Sequence, residues 1–208
     1  KVPYGVDLKE FYLIKDIKKK DNKFRIISTG SISIRKGSHY LLKAFLNLNL
    51  PNSELVFVGD VSPEFQKIKK KYSKITNIKF VKKQKQEVLK YYYNNSDLFV
   101  LCSIEEGLAM VQAQAMACGL PVICTKNTGG SEIIDDDNSG YIIPIRNIEI
   151  LKNKIKILYN DRDKLEEMSK CAHAKANNKL SWKNYGDRML KIYSELMQKK
   201  IKINRKFH

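Results

Sequence analysis

Hydrophobic residues in this chain follow two alternating patterns. Short apolar runs with little polar interruption stand at 23–29 (KFRIIST), 54–59 (ELVFVG), 77–81 (NIKFV), 97–102 (DLFVLC), 121–125 (PVICT) and 140–143 (GYII). Such runs suit strands covered on both faces, as in parallel sheets. Between them apolar positions recur at helical spacing: in 38–48, Leu41, Leu42, Phe45 and Leu48 share one face. Segments 63–72, 86–94 and 110–118 read as helices, the last built of small and medium residues and stopped at Gly119. Residues 127–134 (NTGGSEII) read as a Gly-rich turn leading into a helical turn, and 147–200 as three helices. Alternating strands and helices predict an α/β fold, a parallel sheet with right-handed crossovers and helices on both faces, ending in a helical segment. Residues 1–22 are mixed and charged and read as a linker and lead-in with a short helix. Residues 23–200 read as one domain, and 201–208 as a basic tail.

At 208 residues the chain can bury a full core in one domain, and its 43% hydrophobic content is that of ordinary globular proteins. The longest apolar runs reach only about half a membrane span, and no signal peptide is visible. The opening KVPYGVD reads as the middle of something longer. Cys102, Cys118, Cys124 and Cys171 lack CxxC spacing, and three of them sit in apolar elements. The expectation is buried free thiols in a reducing, cytoplasmic setting. Net charge is +17, yet only six of 39 basic residues are Arg. Specific phosphate and base recognition leans on Arg, so the charge reads first as solvated Lys-rich helix faces. Attraction to an anionic membrane leaflet comes next, and nucleic acid last.

Chemistry concentrates where the charge is absent, since residues 91–125 contain no Lys or Arg. There the strand at 97–102 runs into Glu105-Glu106-Gly107 and a helix begins at Met110. A carboxylate at the carboxyl end of a strand, followed by a helix N-terminus with free N–H groups, marks where open α/β sheets bind anionic ligands. Adjacent glutamates in an extended turn point to opposite sides, so one faces a ligand, and Glu106, next to Gly107, is the better placed. The loop 30–37 (GSISIRKG) also joins a strand to a helix. Arg35 and Lys36 at its far end suit a diphosphate, or they are two solvated cations in a Lys-rich chain. The pattern is neither GxGxxG nor a P-loop. Gln114, two helical turns on, is either a buried structural amide or a ligand contact. Gly129-Gly130 can serve simply as a turn. His39, His173 and His208 are scattered, and no metal site is read.

These residues resemble a known family. EEGLAMVQAQAMACGLPVICT is similar to the signature of glycosyltransferase family 4, written EGFGLxxxEAMACGxPVI. GSISIRKGSHYLLKAF resembles that family's phosphate loop and following helix, and VPYGVD its interdomain linker (PNGVD). NTGGSEII resembles its GGxPE turn, NSGYIIP its NGxLV strand, and SWKNYGDRMLKIY its terminal helix. The matches run in order over nearly the whole chain. The resemblance implies the C-terminal, Rossmann-like, nucleotide-sugar-binding half of a GT-B enzyme, with the N-terminal acceptor domain outside this chain.

By resemblance, Arg35 and Lys36 fall where the family contacts the donor diphosphate, in a loop that opens with Gly30 and Ser31. Glu106 falls on the first Glu of the Glu-x7-Glu motif, facing the donor sugar. Backbone N–H groups of Gly107, Leu108, Ala109 and Met110 would hold sugar and phosphate. Val81, Lys82 and Lys83 fall where the base packs, and Gln114 falls on the second Glu, which binds ribose hydroxyls. Three positions depart from the pattern. Gln114 replaces Glu, keeping one acceptor oxygen and losing the charge. Ser31 stands where many members carry Arg, and Leu108-Ala109 replaces Phe-Gly. The implied activity is retaining, metal-independent sugar transfer from a nucleoside-diphosphate sugar, such as a UDP- or GDP-sugar, without a cofactor. The implied acceptor is a glycan or a lipid-linked molecule in surface polysaccharide or glycolipid synthesis, and the implied location is cytoplasmic or peripheral at the inner membrane face. An epimerase or phosphorylase on activated sugars is the rival of the same fold, although no lysine site for pyridoxal phosphate is evident. A non-catalytic sugar-nucleotide sensor fits Gln114 and Ser31, and a nucleic-acid module fits only the charge.

Overall fold

The computed structural model describes residues 2–14, 17 and 21–204, with side chains as far as residue 198. Six strands form one parallel sheet: β1 (Phe24–Thr29), β2 (Ser53–Val58), β3 (Ile78–Val81), β4 (Leu98–Leu101), β5 (Val122–Thr125) and β6 (Gly140–Ile143). Their spatial order is β3-β2-β1-β4-β5-β6. Seven α-helices accompany them: α1 (Ser38–Leu48), α2 (Gln66–Tyr72), α3 (Gln86–Asn94), α4 (Met110–Ala117), α5 (Ile148–Asn160), α6 (Arg162–Lys179) and α7 (Trp182–Asn204). The α/β reading with a doubly covered parallel sheet is what the chain adopts.

Strand periodicity divides the core in two. Ile27, Val56, Val58, Phe99, Leu101 and Val122 point to one face, where α3, α4 and the small residues Ala172 and Ala176 of α6 cover them. Ile26, Leu55, Phe57, Leu98, Val100 and Ile123 point to the other, beneath α1 and α5. Each fully buried side chain of this size contributes about 1.5–3 kcal/mol. Asn147 and Asp161 set the breaks between the last helices. Their side chains cap α5 and α6 by accepting from the N–H groups of Ile150 and Lys164, both at 2.9 Å.

Three local readings change. The segment 63–72 begins as a 3-10 turn, Pro63–Phe65, before α2. The segment 127–134 is folded by two such turns, Lys126–Thr128 and Gly130–Glu132. The short helix expected in 1–22 is a turn over residues 8–10 among the described residues. Asp7 makes it: its carboxylate accepts from Lys9 N at 2.8 Å and its carbonyl from Phe11 N at 2.9 Å. Residues 1, 15, 16 and 18–20 lie outside the described residues. The lead-in is tied down, with Val6 N donating to Leu180 O at 2.7 Å and Phe11 buried against Tyr93. At the other end α7 runs on through Asn204, so the segment 201–208 starts as helix, and residues 205–208 lie outside the described residues.

The amino end of the sheet is closed by charge. Glu54, with its side chain only 2% exposed, accepts from Arg25 Nε at 2.6 Å and lies 2.6 Å from Lys79 Nζ. Arg25 also donates to Asp21 and to the Asn95 carbonyl. Burial alone would raise the Glu54 carboxyl, but the hydrogen bonds and charges of Lys79 and Arg25 outweigh it and hold it below its ordinary 4.5. Removing that charge takes from Arg25 and Lys79 their shared partner, while Arg25 keeps Asp21 and Lys79 keeps solvent. Glu54→Gln is therefore expected to cost about 1–3 kcal/mol of unfolding free energy at neutral pH, the scale of charge-assisted hydrogen bonds. Because the native carboxyl is depressed, the stabilisation is complete above the ordinary value and lost as pH falls through the native one. The gap between denaturant titrations of the two proteins should begin to narrow below pH 4.5 and close only below the depressed native value. A gap that persists unchanged at low pH would assign the loss to packing rather than charge.

Candidate functional site

Strand order reverses between β1 and β4, so the connections leaving their carboxyl ends diverge and open a crevice. Two loops face each other there, 30–37 after β1 and 102–109 after β4. They approach more closely than side chains allow. Gly37 caps α1 with φ 66°, and a Cβ on it would stand 1.9 Å from the Cys102 carbonyl oxygen. Ile104 N donates to Arg35 O at 2.9 Å and stitches the loops together. From β5, Thr125 Oγ1 donates to Ser103 O at 2.5 Å, and Asn127 Nδ2 to Ile104 O at 2.8 Å. Gly129 (φ 70°) presses on the far end, where a Cβ would lie 2.8 Å from Gly107 O.

This clamp brings three sequence-predicted residues together. Lys36 Nζ is ion-paired directly with Glu106 Oε2, and Arg35 Nη1 lies 3.8 Å from Glu106 Oε1. Arg35 also donates to the Glu105 carbonyl at 3.1 Å, and Ser103 Oγ donates to Glu106 Oε2 at 3.4 Å. Lys36 and Glu106 are 17% and 16% exposed, whereas Arg35 is 57% exposed. Glu105 turns outward, as alternation in an extended turn requires. The result is a carboxylate neutralised by two cations at the mouth of the crevice. An incoming polyanion can take over those cations.

The start of the first loop serves a different space. Gly30 and Ser31 line a cleft of about 400 Å³ with Asp60, Lys83, Leu89 and Gln114. Ligand pockets for small molecules begin at about this size. Val81 lines instead the space beside Arg25 and Glu54, and Lys82 sits at the surface with its carbonyl bonded to Gln84 Nε2. Gly107 and Leu108 join Glu106 around a second space of about 400 Å³ that also touches Pro3, Tyr4 and Asn127. Met110 opens α4 and is exposed. The N–H of Ala109 is committed, donating to the Thr128 carbonyl at 3.2 Å, so it is not among the groups free to hold a ligand.

Gln114 is buried and also reaches the cleft. Its Oε1 accepts from the buried Tyr93 hydroxyl at 3.4 Å, and the residue still borders the cleft. The wholly buried structural amide is Gln112, which sequence reasoning passed over. Its Nε2 donates to Thr128 O at 2.8 Å, and its Oε1 accepts from Thr128 Oγ1 at 3.3 Å. Ser103, Asn127 and Asp60 were missed as well. A polar residue just past an apolar strand was the available signal for all three. Among the described residues no group of three His, Cys, Asp or Glu side chains is placed to hold a metal ion. Burial pushes the Cys102 thiol up to about 12, so it is inert.

Comparison with known proteins agrees with this geometry. A family model described as glycosyl transferases group 1 matches residues 11–175. Spore coat protein SA of Bacillus subtilis (strain 168) is 28% identical over 182 residues, covering 82% of this chain and 48% of that protein. The capsular polysaccharide biosynthesis glycosyltransferase CapM of Staphylococcus aureus is 25% identical over 183 residues, covering 86% of this chain and 48% of CapM. The chain thus spans about half the length of these relatives. Among solved structures, Anabaena HepE in complex with UDP superposes with a TM-score of 0.82 at 22% identity, covering 93% of this chain and 57% of that one. At that identity the likeness establishes the fold.

The ion pair carries a measurable consequence. If Glu106 occupies Lys36 and Arg35, Glu106→Gln should free both and raise affinity for inorganic pyrophosphate by roughly fivefold at low ionic strength. Titration calorimetry reads this directly. Unchanged affinity would show that the carboxylate does not compete for these cations.

Proposed function

We propose that this chain, which belongs to the group 1 glycosyl transferases, is the donor-binding part of an enzyme that transfers a sugar from a nucleoside diphosphate. The observation that carries the reading is the meeting of Lys36 and Arg35 with Glu106 where the strand order reverses. Two cations and the N-terminus of α4 stand where a diphosphate would lie, with the cleft beneath Gly30 and Ser31 taking the nucleoside. That HepE was solved with UDP in the same fold supports a nucleotide ligand.

The chain's own groups suggest the mechanism. As the bond from sugar to phosphate breaks, negative charge grows on the departing diphosphate. Lys36 and Arg35 stabilise that charge, and preorganised electrostatic help of this kind is usually the largest single contribution to catalysis. Glu106, released from them, turns to the sugar, where a carboxylate orients hydroxyls and favours the developing positive ring. Gly107 and Leu108, around the second space, supply the wall against which the sugar rests. Assignment to family 4, with retention of configuration and no metal, rests on the motif resemblance. The similarity to CapM supports a polysaccharide acceptor, a glycolipid one rests on the motif resemblance, and a further domain of the same protein would hold it. The Lys-rich surface fits a peripheral position at an anionic inner membrane face.

Across uridine, guanosine and adenosine nucleotides, the diphosphate should bind more tightly than the monophosphate. Lys36→Ala should cost about 1.5–3 kcal/mol of diphosphate affinity, the scale of a charge-assisted hydrogen bond. Lys70→Ala, in the Lys-rich α2, should cost little. Calorimetry showing equal losses at both positions would reduce the site to bulk charge.

A further inference from the structure

One edge of the sheet carries far more charge than the proposed site uses. β3 pairs only with β2, so its outer edge is open among the described residues. Ten lysines stand in residues 67–90 against one acid, Glu87, and they supply more than half of the net charge of +17. Most of them are exposed. Lys79 is the one ion-paired with a carboxylate among the described residues. On α5 and α6, by contrast, lysines find local partners, as Lys152 does in Glu149 and Lys170 in Glu166.

Contacts join this edge into a band that alternates cations with aromatic rings. Lys69 of α2 holds its ammonium 6.0 Å from the centre of the Phe80 ring on β3. Lys79 and Val81, also on β3, share a hollow with Tyr91 and Tyr92 of α3. Lys90 then spans two rings, 5.7 Å from the centre of Tyr91 and 4.8 Å from that of Tyr12. Tyr91 is 51% exposed. Tyr12, its neighbour Leu13, and Val88 one helical turn before Tyr91 are exposed as well.

The chemistry of the band selects among partners. A pairing strand would need a bare backbone edge, and lysines along an edge keep strands away. A nucleic acid would need open ring faces for its bases, with Arg for its phosphates. Here ammonium groups lie over Phe80, Tyr12 and Tyr91, and no arginine occurs between Arg35 and Arg146. An anionic bilayer needs neither. Its headgroups attract point charges spread along a surface, while aromatic and aliphatic side chains settle at headgroup depth.

We propose that the β3 edge, from Lys69 across to Tyr12, is the surface by which this chain docks on an anionic lipid bilayer, with Tyr91, Tyr12 and Leu13 entering the headgroup layer. The inference rests on the peripheral membrane reading above and assigns it to one edge of the fold. The band ends where the cleft beneath Gly30 begins, because Lys83 and Leu89 line that cleft. Docking here holds the cleft beside the membrane surface, within reach of a lipid-linked acceptor.

Co-sedimentation of the full chain with vesicles tests this. Phosphatidylcholine vesicles are compared with vesicles containing about one third phosphatidylglycerol, at low and high salt. Binding should be at least about tenfold tighter to the anionic vesicles and should fall steeply with salt. The triple variant Lys69→Gln, Lys70→Gln, Lys90→Gln should weaken it at least about tenfold, since one lysine near such a surface is worth roughly fivefold. A control with the same charge loss, Lys43→Gln, Lys156→Gln, Lys179→Gln, takes exposed lysines from α1, α5 and α6 and should lose less than about threefold. Tyr91→Ser should weaken binding about threefold and leave the salt dependence unchanged. Both triple variants should melt with the parent. Equal losses in the two triple variants would reduce the band to bulk charge. Equal binding to neutral and anionic vesicles would remove the lysines from the contact. Tighter binding of polyuridine than of vesicles through the same three lysines would make this a nucleic-acid face. A chain that binds nucleotides and no vesicle ends the membrane proposal and leaves the donor-binding reading standing.

Discussion

Everything functional in this domain depends on two backbone segments lying closer than a methyl group would permit. Gly37 packs onto the Cys102 carbonyl, and only that approach lets the end of the β1 loop reach the Glu106 turn beyond β4. Alanine at position 37 would add both the steric clash and the cost of a positive φ, on the order of 1–3 kcal/mol for the backbone alone. The loops would part, and Lys36 would lose its partner. The parallel sheet supplies the crevice, but the glycine sets its width.

The same constraint explains how a chain of net charge +17 keeps a site at all. Cations more than about 8–10 Å apart at physiological salt are mutually screened, so most lysines here act as surface solvation. Lys36 differs because it is largely covered and fixed by a carboxylate. Its charge is balanced by that carboxylate, and on the proposed reading a diphosphate would take the carboxylate's place. Glu54 and Arg25 use the same chemistry at the other end of the sheet without a loop that could open. There the pairing closes a structure rather than preparing a site.

Much of this was legible in the sequence. Apolar runs of four to six residues separated by helical periods led to the right elements, because a doubly covered strand admits few polar side chains and each crossover must be a helix. Arg35, Lys36 and Glu106 were legible as candidates because each follows a strand in a loop with glycine. Their contact was not, since it depends on the strand order, and no local pattern places β1 beside β4. The lead-in carries a different lesson. Within residues 2–14, Asp7 bonds nearby backbone and ties the segment into a turn, which a mixed, charged composition does not announce. Asp60 was passed over because one acidic residue after a strand carries no pattern. It gains a place only once the fold sets it in the cleft that Gln114 also lines.

The two glutamines of α4 show how the helix converts sequence into function. Residues two apart on a helix point about 200° apart. Gln112 and Gln114 therefore cannot share a neighbour, however similar they look in MVQAQAMA. Gln112 turns toward Thr128, and through it the β5 loop holds the Gly107 turn in place. Gln114 turns toward Tyr93 and the cleft. Alanines on either side keep the helix slim enough to pack against α6. A lysine here would have to snorkel out of the core, which is one reason residues 91–125 carry no cation. The positive groups must then come from the facing loop. On the proposed reading a diphosphate would meet both loops, which already adjoin at the junction that Gly37 makes narrow.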